Sequence, residues 1–190
     1  NSKWLNKNKF NIDDGLAYVY AMLNSKEYRR KYHNDLLKDY PHVPIVKDKD
    51  KYVEIGKKLI SLHLNYEQVP VYSNVRVLKN YNDFSVEKMN FGEKANSKEK
   101  DKTTIIFNKY ISIKNIPMKA YDYVIGGRSA IEWIMDQYRV TKDAKSGIMD
   151  NPNDYSDDPK YVFDLLLRII NVSVQTVDLI NQLPPLEIEK

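Results

Sequence analysis

Thr103-Thr-Ile-Ile-Phe107 and Tyr110-Ile-Ser-Ile-Lys114 are two β-branched, aromatic runs separated only by Asn108-Lys109. Such residues suit a pleated, half-buried surface, and a two-residue polar break between them predicts an antiparallel hairpin. This hairpin decides the fold class. Upstream of it, Val71, Val75 and Val77 alternate with polar positions, and Phe84 and Val86 repeat the pattern beyond a turn at Asn80–Asp83. A small sheet of four antiparallel strands is therefore expected. Between the second and third strands, the stretch from Gly92 to Lys102 is apolar only at Ala95, which predicts a mobile loop.

On either side of the sheet the period changes to helical. The opening stretch to Phe10 is polar, with Lys3, Lys7 and Lys9. After Asp13, Leu16, Val19, Tyr20 and Leu23 fall on one helical face. Ser25 can cap a second helix with Tyr28, Tyr32 and Leu36 along its stripe, ended by the Tyr40–Pro41 and Val43–Pro44 steps. A third helix starts at Asp50 and carries Tyr52, Ile55, Leu59, Leu62 and Tyr66. Beyond the sheet, Pro117 suits the first turn of a helix that Gly126–Gly127 would end. Ser129 and Glu132 then form a capping box before Ile131, Ile134, Met135 and Tyr138. Lys142 to Asp157 reads as a long irregular loop, and Asp158–Pro159 opens a long final helix to about Leu183, stopped by Pro184–Pro185. The expected class is α+β: N-terminal helices, a small four-stranded antiparallel sheet, and C-terminal helices including one long one. The expected division is a helical frame over 1–66 and a sheet-plus-helix region over 67–190.

With 190 residues, 42% hydrophobic and 29% charged, the chain has ordinary globular composition. It starts with Asn rather than Met and is expected to be a piece of a longer polypeptide. No apolar run approaches the roughly 20 residues that span a bilayer, so no membrane partner is expected. The absence of Cys excludes disulfides, thiolate zinc sites and cysteine nucleophiles. A net charge of +4 permits a nucleic-acid partner without requiring one. Neither a phosphate-binding glycine loop nor a Gly-x-Ser-x-Gly elbow is present. His33, His42 and His63 lack metal-ligand spacing, and His63 reads as a structural histidine near the core edge. Asn151-Pro152-Asn153-Asp154 faintly matches the Asn-Pro-Pro-Tyr motif of adenine methyltransferases but fails at its third position, and reads as a turn.

The candidate binding residues are therefore cations. Arg76, Lys79 and Lys88 lie on or beside two strands, Lys109 and Lys114 belong to the second hairpin, and Arg128 stands between two helices with no packing reason for a long cation. Lys94, Lys98, Lys100 and Lys102 face Glu93, Glu99 and Asp101 in the 92–102 loop, leaving one positive charge. Arg29-Arg30-Lys31 reads as the solvated face of a helix. The tyrosine stripes at Tyr28, Tyr32 and Tyr52 read as buried rings with exposed hydroxyls rather than a base-stacking platform. Lys142 to Lys160, with five Asp against three Lys, would repel phosphates, although Asn151 and Asn153 have base-reading amides.

Several segments together resemble one family. They include Tyr18-Val-Tyr-Ala-Met-Leu-Asn-Ser-Lys-Glu-Tyr-Arg, His33-Asn-Asp-Leu-Leu-Lys, Leu62-His-Leu-Asn-Tyr-Glu and Ile116-Pro-Met-Lys-Ala-Tyr-Asp-Tyr-Val. Above all they include Gly127-Arg-Ser-Ala-Ile-Glu-Trp-Ile-Met-Asp-Gln-Tyr, with Ser146-Gly-Ile-Met-Asp-Asn-Pro-Asn-Asp-Tyr and Val172-Ser-Val-Gln-Thr-Val after it. Their order resembles the C-terminal specificity region of type ISP (single-polypeptide) restriction–modification enzymes of bacterial defence. The resemblance implies a target-recognition domain with no catalytic residues of its own, in the cytoplasm. Its partners would be double-stranded DNA and the methyltransferase and helicase domains of the same polypeptide. It would present a short DNA site so that the methyltransferase flips out an adenine, and site occupancy would trigger ATP-driven translocation and cleavage elsewhere. ATP, Mg2+ and S-adenosylmethionine would belong to those other domains, with no cofactor here. The expected DNA-binding residues are Arg76, Lys79, Lys88, Lys94, Lys98, Lys109 and Arg128. Two alternatives stand beside this reading: a clamp that touches DNA only non-specifically, and an enzyme of unrecognised class.

Overall fold

The computed structural model describes residues 2–38 and 41–189 and divides the chain into two compact units. One comprises 1–65 with 176–190, the other 66–175. Residues 176–190 thus group with the helical unit rather than with the sheet, because Leu183 and Leu186 pack on its core and Tyr52 donates to the Pro184 carbonyl.

In the helical unit the order is α1 (Ser2–Asn8), α2 (Ile12–Asn24), α3 (Lys26–Lys31), α4 (His33–Leu36) and α5 (Lys49–Leu64). The opening stretch is helical rather than merely polar, since Trp4 and Leu5 pack on the core beside Phe10. Ser25 caps α3 as expected, accepting from the Tyr28 amide. The second helix is interrupted at Tyr32, and Leu36 ends α4; the Tyr40–Pro41 step lies outside the described residues. α2 buries Gly15, Ala17, Tyr18, Ala21 and Met22, while Leu16 is 59% exposed. The expected face is therefore turned: the helix packs through Tyr18 and Met22 with the small residues Gly15, Ala17 and Ala21 beside them. A Cβ on Gly56 of α5 would overlap the Ala17 carbonyl, so the two backbones meet at a distance only glycine allows.

Tyr28 and Tyr52 are fully buried, as their spacing predicts, and so is Tyr18, which lies off the expected face; the hydroxyls of all three do not reach water. Tyr18 donates to the Pro44 carbonyl at 2.6 Å and accepts from the Val46 amide at 3.0 Å, and Tyr28 donates to the His42 carbonyl at 2.9 Å. Each ring fills the core while its hydroxyl satisfies a loop peptide group. His63 is held between the Tyr20 hydroxyl at 2.6 Å and the Thr176 hydroxyl at 2.8 Å.

In the other unit, β1 (Arg76–Lys79), β2 (Asn90–Glu93), β3 (Lys100–Ile106) and β4 (Ile111–Lys114) form one antiparallel sheet in the order β1-β4-β3-β2. The decisive hairpin is β3–β4, and the fold class is α+β. Ile105, Ile111 and Ile113 face a core completed by Ile131, Leu166 and Ile170. Two expectations about the sheet fail. Phe84 and Val86 are buried but form no strand; the second strand is Asn90–Glu93. Asn153 explains this, accepting from the Val86 amide and donating to the Val86 carbonyl, both at 2.8 Å. One side-chain amide replaces a strand partner. Nor is 92–102 a structureless loop: β2 and β3 run into it and leave only a turn, closed by Lys94 N–H on the Glu99 carbonyl at 2.9 Å.

The stretch after Pro117 is a short 3-10 turn, Met118–Asp122, followed by the strand pair β5 (Val124–Ile125) and β6 (Arg128–Ser129). Gly126 and Gly127, with φ of 56° and 87°, are the centre of that hairpin and not a helix end. Two consecutive left-handed residues are what a type I′ hairpin turn requires. Ser129 and Glu132 form the expected capping box at the start of α6 (Ala130–Gln137). The expected loop from Lys142 contains a small ribbon of β7 (Thr141–Lys142) and β8 (Met149–Asp150), then a 3-10 turn at Pro152–Asp154. α7 (Tyr161–Ile180) is the long C-terminal helix. Among the described residues no helix is long and apolar enough to cross a membrane.

Candidate nucleic-acid interface

Strand register assigns each sheet side chain to a face. Ile111 and Ile113 of β4 point into the core, so Ser112 and Lys114 point outward. Arg76 lies opposite Lys114, and Leu78 opposite Ser112. Ser112 also faces Ile106, which in turn faces Asn90. The outer face therefore carries Arg76, Lys114 and Asn90 around Leu78 and a 37% exposed Ile106. Two cations directly opposite each other on antiparallel strands repel, a cost that a polyanion would relieve. Arg76 forms no ion pair among the described residues.

Lys79 does not share that face. It lies opposite Ile111 at the strand end, where its amine donates to Asn82 at 2.9 Å and sits 5.2 Å from the Phe84 ring. There it lines a cleft of about 410 Å³ with Asn80, Asn108, Lys109 and Tyr110. The Lys109 amine is 4.8 Å from the Tyr110 ring, and the Tyr110 hydroxyl makes it hold its proton more firmly than an ordinary lysine. Tyr81, 62% exposed, packs against Tyr110 with ring centres 5.0 Å apart. Asn108 is spent on the turn itself, bonding the carbonyls of Asp83 and Ser85 and the amides of Tyr110 and Ile111.

A second cleft, of about 500 Å³, brings together Lys88, Lys98 and Arg128, three of the expected residues, between the β2–β3 hairpin and α6. Lys100, a cation of the 92–102 stretch, and Arg139, which the sequence did not single out, line it as well. Glu132 borders this cleft, where burial alone would raise its pKa. Bonds from Lys102 at 2.9 Å and from the Ser129 cap outweigh that effect and hold it at about 2. Its charge is thus committed to structure. Lys94, by contrast, is engaged by Glu99 at 2.7 Å in the hairpin turn.

The expected amides at 151 and 153 are not free to read bases. Asn151 caps the 3-10 turn and bonds Asp154, and Asn153 is the strand substitute on Val86. The Asn-Pro-Asn-Asp stretch is a turn. Arg29, Arg30 and Lys31 are exposed on α3, whose buried residue is Tyr28. Among the described residues no group of three or more His, Asp or Glu is placed to hold a metal ion.

The Type ISP C-terminal specificity domain model matches residues 2–165. Among solved structures, a nuclease-deletion mutant of the Type ISP restriction–modification enzyme LlaGI, in complex with a DNA substrate mimic, is 51% identical with a TM-score of 0.86. That match covers 95% of this chain and 14% of LlaGI. The ATP-dependent Type ISP enzyme LlaBIII bound to DNA is 46% identical with a TM-score of 0.92, over 100% of this chain and 12% of that one. A DrdV–DNA complex is 27% identical with a TM-score of 0.76, covering 90% of this chain and 18% of DrdV. The chain thus spans a small fraction of the polypeptides it matches. No curated protein matches it. The protein belongs to the Type ISP C-terminal specificity domain family.

Proposed function

We propose that this chain reads a DNA target for a Type ISP restriction–modification enzyme. One observation carries the proposal: over nearly its whole length the chain is similar to two Type ISP enzymes, one solved bound to DNA and the other with a DNA substrate mimic. The local chemistry supports it. An outer sheet face with Arg76 beside Lys114, one cleft rimmed by lysine and arginine and another by lysine alone, offer cations to phosphates and a few donors to base edges.

In this reading the chain performs no chemistry. It presents the site so that a methyltransferase domain of the same polypeptide can reach the target adenine N6. Site occupancy then licenses ATP-driven translocation and cleavage by other domains. ATP, Mg2+ and S-adenosylmethionine bind those domains, and the assembly works in the cytoplasm. Exchanging residues 76–88 and 92–102 between two relatives with different sites tests this. The expected outcome is that the methylated sequence follows the exchanged segments. An unchanged methylation pattern would leave a clamp that grips DNA without reading it.

A further inference from the structure

Two arginines share one carboxylate beside the larger cleft. Arg128 stands in β6, and Arg139 follows the end of α6. Asp136 receives Arg128 Nη1 on Oδ2 and Arg139 Nη1 on Oδ1, each at 3.2 Å. Arg128 is restrained twice more: Nη2 donates to the Glu132 carbonyl at 3.4 Å, and its guanidinium lies 5.0 Å from the Trp133 ring centre. Trp133 is itself fixed, its ring N–H donating to the Ile125 carbonyl at 2.7 Å. A long side chain held at several points has little freedom left to lose when a ligand arrives.

Both arginine side chains stay 43% exposed, and two guanidinium groups over one carboxylate leave a net positive charge. Lys88, Lys98 and Lys100 line the same cleft and form no ion pair among the described residues. This concentration of point charges suits phosphate oxygens. Arg128 has Nη1 on Asp136 and Nη2 on the Glu132 carbonyl, so the terminal fork that would grip guanine in two bonds is already used.

We propose that Arg128 and Arg139, positioned by Asp136, clamp the phosphate backbone of the target duplex and set affinity rather than sequence choice. The inference rests on the DNA-reading function above and leaves base discrimination to residues outside this arginine pair.

Duplex binding by the full-length polypeptide, followed by fluorescence anisotropy across a salt series, tests it. R128Q and R139Q should each reduce the slope of log K against log salt by about 0.9, with the preferred site unchanged. D136N separates positioning from charge. Removing a negative charge would by itself tighten binding, whereas loss of positioning weakens binding and lowers the slope. Unchanged slopes in both glutamine variants, tighter binding by D136N, or altered preference at one base pair would each overturn the proposal. Should D136N fail to fold, as judged by its thermal midpoint, the R139Q slope still decides. Absence of salt-dependent binding by the unmodified polypeptide would reject the DNA-reading function itself, and this assignment with it.

Discussion

At the scale of single residues, burial has turned polar side chains into structural ties. His63 bridges Tyr20 and Thr176, and burial lowers its pKa from the ordinary 6.5. The folded chain resists a proton that the unfolded chain accepts near 6.5, so the unfolded state binds more protons below that value. Stability should therefore be full above pH 6.5 and decline as pH falls through it towards the lower folded value. Chemical denaturation at pH 8 and pH 5 checks this, and replacing His63 with Gln should flatten the difference. Gly56 is a second such residue. Gly56→Ala drives a methyl into the Ala17 carbonyl and should cost about 1–3 kcal/mol of unfolding free energy, read by chemical denaturation. The sequence identified Tyr28 and Tyr52 as core, because ring spacing is visible in it, but it missed Tyr18 and overstated Tyr32, which is only half-buried. It could not tell where the hydroxyls of Tyr18, Tyr28 and Tyr52 go, since Pro44, His42 and Pro184 lie far along the chain.

At the scale of elements, what local chemistry determines was legible. The Ser129–Glu132 capping box needs only residues three apart, and the β3–β4 hairpin only adjacent runs. What failed depends on distant partners. Phe84 and Val86 have the composition of a strand, but the backbone of Val86 is claimed by Asn153, 67 residues away. Asn153→Ala should leave the Val86 amide and carbonyl unpaired and cost roughly 1–3 kcal/mol, read by thermal or urea unfolding. Asn153→Asp keeps the acceptor for the amide but sets a carboxylate oxygen against the Val86 and Asn151 oxygens that the amide had bonded, so it should cost at least as much. Gly126–Gly127 misled for another reason, because left-handed glycines end helices and also centre type I′ turns. Only the pairing of Val124 with Ser129 distinguishes the two, and Gly127→Val should disfavour that hairpin.

For the molecule as a whole, charge placement matters more than the modest net charge. Lys88, Lys98 and Arg128 were each visible as cations, but their convergence on one cleft depends on β2 running to Glu93 and on α6 standing beside it. Arg139 was passed over because its sequence neighbourhood is ordinary; Asp136, three residues away, gives it a place. Lys94 is paired with Glu99 and Lys79 is bonded to Asn82, contacts that the sequence did not disclose. The most direct measurement is site-specific photocrosslinking of the full-length polypeptide on its own target duplex. With benzoylphenylalanine at position 88 or 114, the crosslink should form to DNA; at Leu64, exposed at the end of α5, it should not. DNA crosslinks from Leu64 and none from 88 or 114 would contradict the claim that the basic sheet region meets the duplex.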